Sequence, residues 1–136
     1  MRVLAPALGL LLLAATSRAE EPRDSTLAAS EVLLRYIAIS NPSDDKLCIT
    51  IDGLEIPPAL LQRLEGTGLR IASCTQGWTM RIPIGKPAIQ ADGTYLMSYG
   101  YYMACEGCVQ GKAMFAFLRK DAAGWSVLRI QGGVNF

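Results

Sequence analysis

Four cysteines, Cys48, Cys74, Cys105 and Cys108, constrain this chain more than any other feature, because each link they form excludes most alternative folds. Their bonding state depends on the compartment, and the first residues bear on that. Arg2 gives a short basic start, Val3 to Ala15 is an apolar run, and Ser17-Arg18-Ala19 closes it with small residues. This is the pattern of a cleaved secretory signal covering residues 1–19. The apolar run is shorter than the roughly 20 residues a bilayer span needs, and no cysteine follows it to carry a lipid. An exported chain meets an oxidising compartment, so two disulfides are expected, in the periplasm or outside the cell, with no stable membrane anchor after cleavage. The Ala-, Leu- and Gly-rich composition suits a bacterial periplasmic protein. Residues 20–136 are long enough for one disulfide-stabilised domain with its own core.

Cys105-Glu106-Gly107-Cys108 has three readings. A reactive dithiol wants a helix N-terminus to lower one thiol's pKa, but Tyr101-Tyr102-Met103-Ala104 before it and Val109-Gln110-Gly111-Lys112 after it favour strands. A zinc site wants a second close pair or histidines, and Cys48 and Cys74 are far apart in a chain with no histidine. The third reading is a pinned hairpin. With Glu106 and Gly107 as a two-residue loop, Cys105 faces Cys108 at a Cα separation of about 5.5 Å, which a disulfide accepts. Cys48 then pairs with Cys74. The chain-entropy model assigns about 2 kcal/mol to the tight loop and about 3.5 kcal/mol to the longer one.

Along the chain, Asp24 or Ser25 caps a helix from about Thr26 to Ile39, whose apolar stripe is Ala29, Val32, Leu33, Tyr36 and Ile37. Asn41-Pro42-Ser43-Asp44-Asp45 stops it. Leu47, Ile49 and Ile51 alternate with Cys48 and Thr50 in a short strand. Pro57-Pro58 opens a second helix with Leu60, Leu61 and Leu64 on one side, and Gly66 ends it. Leu69 to Ala72 reads as a strand leading to Cys74. The rest reads as an antiparallel meander: Trp78 to Ile84, with Pro83 suggesting an edge or a strand end, then Thr94 to Ala104, Cys108 to Arg119, and Trp125 to Ile130. Gly100 and Gly111 mark places for a bend or bulge. The fold class is therefore α+β, an N-terminal helix and a short second helix packed on a curved antiparallel meander of four to five strands.

Chemistry is scarce. The absence of histidine removes the commonest general base and the commonest metal ligand, and Ser73 and Ser98 have nothing to activate them. No catalytic residue, metal or cofactor is expected. The formal net charge of +1 moves to slightly acidic once Arg2 and Arg18 are cleaved off, which gives no reason to expect nucleic acid as a partner. Tyr95, Met97, Tyr99 and Tyr101 recur at odd positions of one strand. They read either as a wall for a small apolar or ring-bearing ligand or as a core face packed on the first helix. Trp78, at the start of its own strand, is grouped with them as a candidate binding residue.

Leu47-Cys48-Ile49, Pro57-Pro58-Ala59-Leu60-Leu61-Gln62-Arg63-Leu64, Ala72-Ser73-Cys74 and Gly124-Trp125-Ser126-Val127 together resemble small bacterial exported proteins. Their C-terminal half is similar to the curved sheet of the NTF2-like (cystatin-like) group. The resemblance implies a helix in the concave face of an antiparallel sheet, often with a pocket, and no single activity. The expectation is a non-enzymatic binding or interaction module for a small molecule or a protein. The alternative is a thiol-disulfide redox protein using Cys105 and Cys108.

Overall fold

The computed structural model describes residues 23–103 and 110–135. The expected signal segment, residues 1–19, and the expected Cys105–Cys108 pin lie outside the described residues. Helix α1 occupies 23–40. It is followed by strand β1 (Lys46–Ile51), β2 (Leu54–Glu55), helix α2 (Pro58–Arg63), β3 (Arg70–Ile71), β4 (Met80–Ile84), β5 (Ala88–Ile89), β6 (Tyr95–Met103), β7 (Gly111–Asp121) and β8 (Gly124–Asn135). The fold is α+β, with more strands than expected.

The strands of the expected meander are antiparallel, but the sheet as a whole is mixed, because β1, for which no direction was expected, joins it in parallel. Its order is β2-β1-β4-β6-β7-β8, with β3 on β1 and β5 on β6. β1 runs parallel to β4 over Leu47↔Met80 to Ile51↔Ile84. A parallel pair cannot be joined by a tight turn and needs a crossover, which α2 and β3 supply. The alternation in each strand carries no information on direction, so the sequence left this open. From β4 onward the long strands are antiparallel.

Pro83 sits in an interior strand and not at a sheet edge, but next to the strand's last residue, in keeping with the other expectation, a strand end. It is opposite Thr50 of β1, while the β4–β6 partners run Met80↔Met103, Arg81↔Tyr102 and then Ile84↔Tyr99. The missing N–H thus falls at a gap in the ladder, where it breaks no bond. Nor do the glycines bulge. β6 and β7 pair without a shift from Tyr95↔Leu118 to Tyr102↔Gly111, so Tyr99 and Tyr101 stay on one face. Irregularities occur instead between β7 and β8, around Phe117/Leu118 and Lys112/Met114. Gly100 and Gly111 serve a close approach: a Cβ on either would meet the Tyr102 ring at 2.8 and 2.7 Å.

One face of the sheet packs on α1. The helix buries Ala29, Leu33, Leu34 and Ile37 against Leu47, Ile49 and Ile51 of β1, Ile82 and Ile84 of β4, Met97 and Tyr99 of β6, and Ala116 and Leu118 of β7. The buried stripe therefore includes Leu34 and Ser30 in place of Val32, which is half-buried, and Tyr36, which is 40% exposed. Ser30 is accommodated because its hydroxyl donates to the Thr26 carbonyl one turn earlier. Leu60 and Leu64 complete the core from α2. The two helices are tied by Glu31, whose carboxylate accepts from Arg63 Nε at 2.6 Å and from Arg35 Nε at 3.2 Å, while Arg35 Nη2 donates to the Arg63 carbonyl. Cys48 and Cys74 form a disulfide, with Cα atoms 4.8 Å apart, linking β1 to the loop after β3. No helix among the described residues is long and apolar enough to cross a membrane.

Candidate functional site

Three loops and the start of α1 meet at one end of the sheet. The first is the β1–β2 hairpin, where Asp52 and Gly53 both take positive φ (52° and 79°). Two consecutive residues in that region are what a two-residue hairpin of the primed type requires, and an Asp-Gly pair is a preferred solution. Ile51 and Leu54 face each other across it. The second is the Lys86-Pro87 segment between β4 and β5, tied to the hairpin by an ion pair of 3.5 Å between Lys86 Nζ and Asp52 Oδ2. The third is the tight turn before β6. Here Asp92 Oδ1 accepts from the Thr94 backbone and hydroxyl at 3.0 and 2.6 Å, which holds its carboxyl below the usual carboxylate range.

Between these parts lies a cavity of about 440 Å³. Its apolar wall is Leu27 of α1, Ile51 of β1, Leu54 of β2, Pro57, Pro87 and Tyr95. Its polar groups are Arg23, Ser25, Thr26, Asp52, Glu55 and Lys86. The size and the mixture, an apolar body with a few convergent polar groups, are those of small-molecule sites. Behind Tyr95 the wall is stiffened by Trp125, whose ring meets it edge to face at 4.8 Å. Glu55 is fixed from the other side, since its Oε1 accepts from the Cys74 backbone N–H at 2.7 Å. The Cys48–Cys74 bond therefore anchors one edge of the cavity.

Of the five residues singled out from sequence, only Tyr95 lines this cavity. Met97 and Tyr99 are in the core against α1, fully buried and 6% exposed. Tyr101 is half-buried beside Tyr99, with ring centroids 5.8 Å apart. Burial and then the neighbouring Tyr101 push the Tyr99 hydroxyl's pKa far above its ordinary value, so it stays protonated at any physiological pH. Trp78 lies half-buried just before β4, outside the cavity. The structure thus separates the tyrosine strand into a packed middle and one end open to a ligand.

A second groove of about 380 Å³ crosses the opposite sheet face near Pro83, Ser98, Tyr102 and Phe115. It is shallower and more open, and the Tyr102 ring is laid down over Gly100 and Gly111. The residues lining the first cavity, Tyr95 apart, were missed because they are scattered over short segments far apart in the chain. Asp52-Gly53 is the one local signal that was there to use, as it fixes the hairpin that presents Ile51 and Leu54.

No family model, no curated protein and no solved structure matches this chain.

Proposed function

We propose that this protein is an exported, non-enzymatic binding module whose ligand site is the cavity between the start of α1, the β1–β2 hairpin and Tyr95. The observation that carries the reading is the cavity itself, about 440 Å³ with an apolar wall and a polar rim on elements tied to the core. The Cys48–Cys74 bond favours an oxidising compartment, in keeping with a secretory reading of residues 1–19. The lack of histidine in the whole sequence favours binding over catalysis.

A thermal-shift screen of small acyl and ring-bearing compounds tests it. A ligand at a hundredfold excess over its Kd stabilises by about 2.7 kcal/mol, several degrees in a domain of this size. Hits should raise Tm in the native protein and not in Leu54→Trp, which fills the cavity from an exposed position. Hits that stabilise both equally contradict the site.

A further inference from the structure

The polar rim of the cavity is unequally satisfied. Asp52 has Lys86 Nζ at 3.5 Å, and Glu55 Oε1 has the Cys74 N–H at 2.7 Å. Each carboxylate already faces a donor. Arg23, on the same rim, has no hydrogen-bond or ion-pair partner among the described residues. Its guanidinium offers five donors in a planar fork that matches a carboxylate or a similar oxyanion. A further cation stands close by: Lys120 Nζ is 3.4 Å from Ser25 Oγ, itself a lining group, and 5.4 Å from the centre of the Trp125 ring. Among the described charged groups of the rim, Lys86, Asp52 and Glu55 each have a partner and Arg23 is the one left for a ligand to meet. Across from it lie Leu27, Ile51 and Tyr95, with no charge to offer an apolar body.

We propose that the cavity takes a single-chain anionic amphiphile, its apolar body against Leu27, Ile51 and Tyr95 and its oxyanion head on Arg23. This rests on the cavity being the ligand site. A cation would instead meet carboxylates that already hold Lys86 and the Cys74 N–H on one oxygen each. A neutral chain would leave the guanidinium to water.

Three probes that share a chain and differ in the head decide the matter: octanoate, octanol and octyltrimethylammonium, titrated calorimetrically into the purified protein and into Arg23→Gln. Octanoate is expected to bind about fivefold tighter than octanol, the modest factor suited to an exposed charge-assisted contact. Arg23→Gln should remove that preference and leave octanol unchanged, and because Arg23 is exposed the variant should fold. Equal binding of octanol and octanoate, tightest binding of the cation, or a preference that survives in Arg23→Gln would overturn the proposal. If octanol binds without preference for octanoate and Leu54→Trp blocks it, the anion assignment fails and the site stands. If none of the three binds, both fail. Flotation with phosphatidylglycerol vesicles separates the sources of the head group: octanoate binding without co-flotation supports a free anion, and co-flotation in place of octanoate binding contradicts it.

Discussion

Cys48 is 1% exposed and sits among the strand residues of β1, while its partner Cys74 is in a loop that also holds Glu55 through a backbone N–H. Closing the 48–74 loop restricts the unfolded chain, so Cys48→Ala/Cys74→Ala should lower unfolding free energy by about 3.5 kcal/mol. Guanidinium unfolding curves measure this, and a loss below 1 kcal/mol would show that the link is incidental. Glu31 gives a second residue-scale expectation. Burial pushes its carboxyl up, but the hydrogen bonds and charges of Arg63 and Arg35 outweigh that and hold it below the ordinary value. A carboxyl depressed in the folded state stabilises above its unfolded pKa, and the gain is lost as pH falls through the folded value. Glu31→Gln should therefore cost about 1 kcal/mol near pH 7, given partly exposed arginines. The difference from the native protein should close as the pH is taken well into the acid range. A difference that is constant with pH would remove the ion pairs from the account.

At the scale of elements, β6–β7 is the longest pairing without a register shift among the described residues, and its glycines explain how. A Cβ on Gly111 would stand 2.7 Å from the Tyr101 carbonyl oxygen, a backbone atom with little freedom to move. Gly93, by contrast, has open space and only a positive φ of 86° to accommodate. Gly111→Ala should destabilise by about 2–3 kcal/mol through overpacking, and Gly93→Ala by about 1 kcal/mol through backbone strain. Equal losses in thermal unfolding would mean that the close approach is not what selects glycine at 111. These elements also show where sequence reasoning reached and where it stopped. Three- and four-residue spacing located α1, and alternation located β1, β4, β6, β7 and β8, since those patterns are local consequences of burying one face. The direction of β1 against β4 depends on how the chain crosses between them. Pro83 marked a strand end but not an edge, because its missing N–H falls at a ladder gap that no sequence pattern records. Tyr36 was placed on the buried stripe, and Leu34 and Ser30 took that place, because a helix stripe is wider than one row of positions.

For the whole molecule, the core and the cavity are two uses of one surface. The face of the sheet that buries Met97 and Tyr99 against α1 continues to Tyr95, where the first described turn of α1 and the loops line the cavity. The tyrosine alternation made the strand visible in the sequence. That Tyr95 meets the first cavity while Tyr99 and Tyr102 border the second groove is a tertiary fact. Leu27, Ile51 and Leu54 each looked like ordinary apolar positions, and their convergence with Arg23 and Lys86 arises only once three turns close on the same end. A heteronuclear NMR titration with octanoate, followed at the methyl groups, tests this account most directly. Saturable shifts confined to Leu27, Ile51 and Leu54, with Leu33, Leu34 and Ile82 unmoved, are the predicted result; shifts centred on Ala113, next to the Tyr102–Phe115 groove, or no saturable shifts at all, would contradict it.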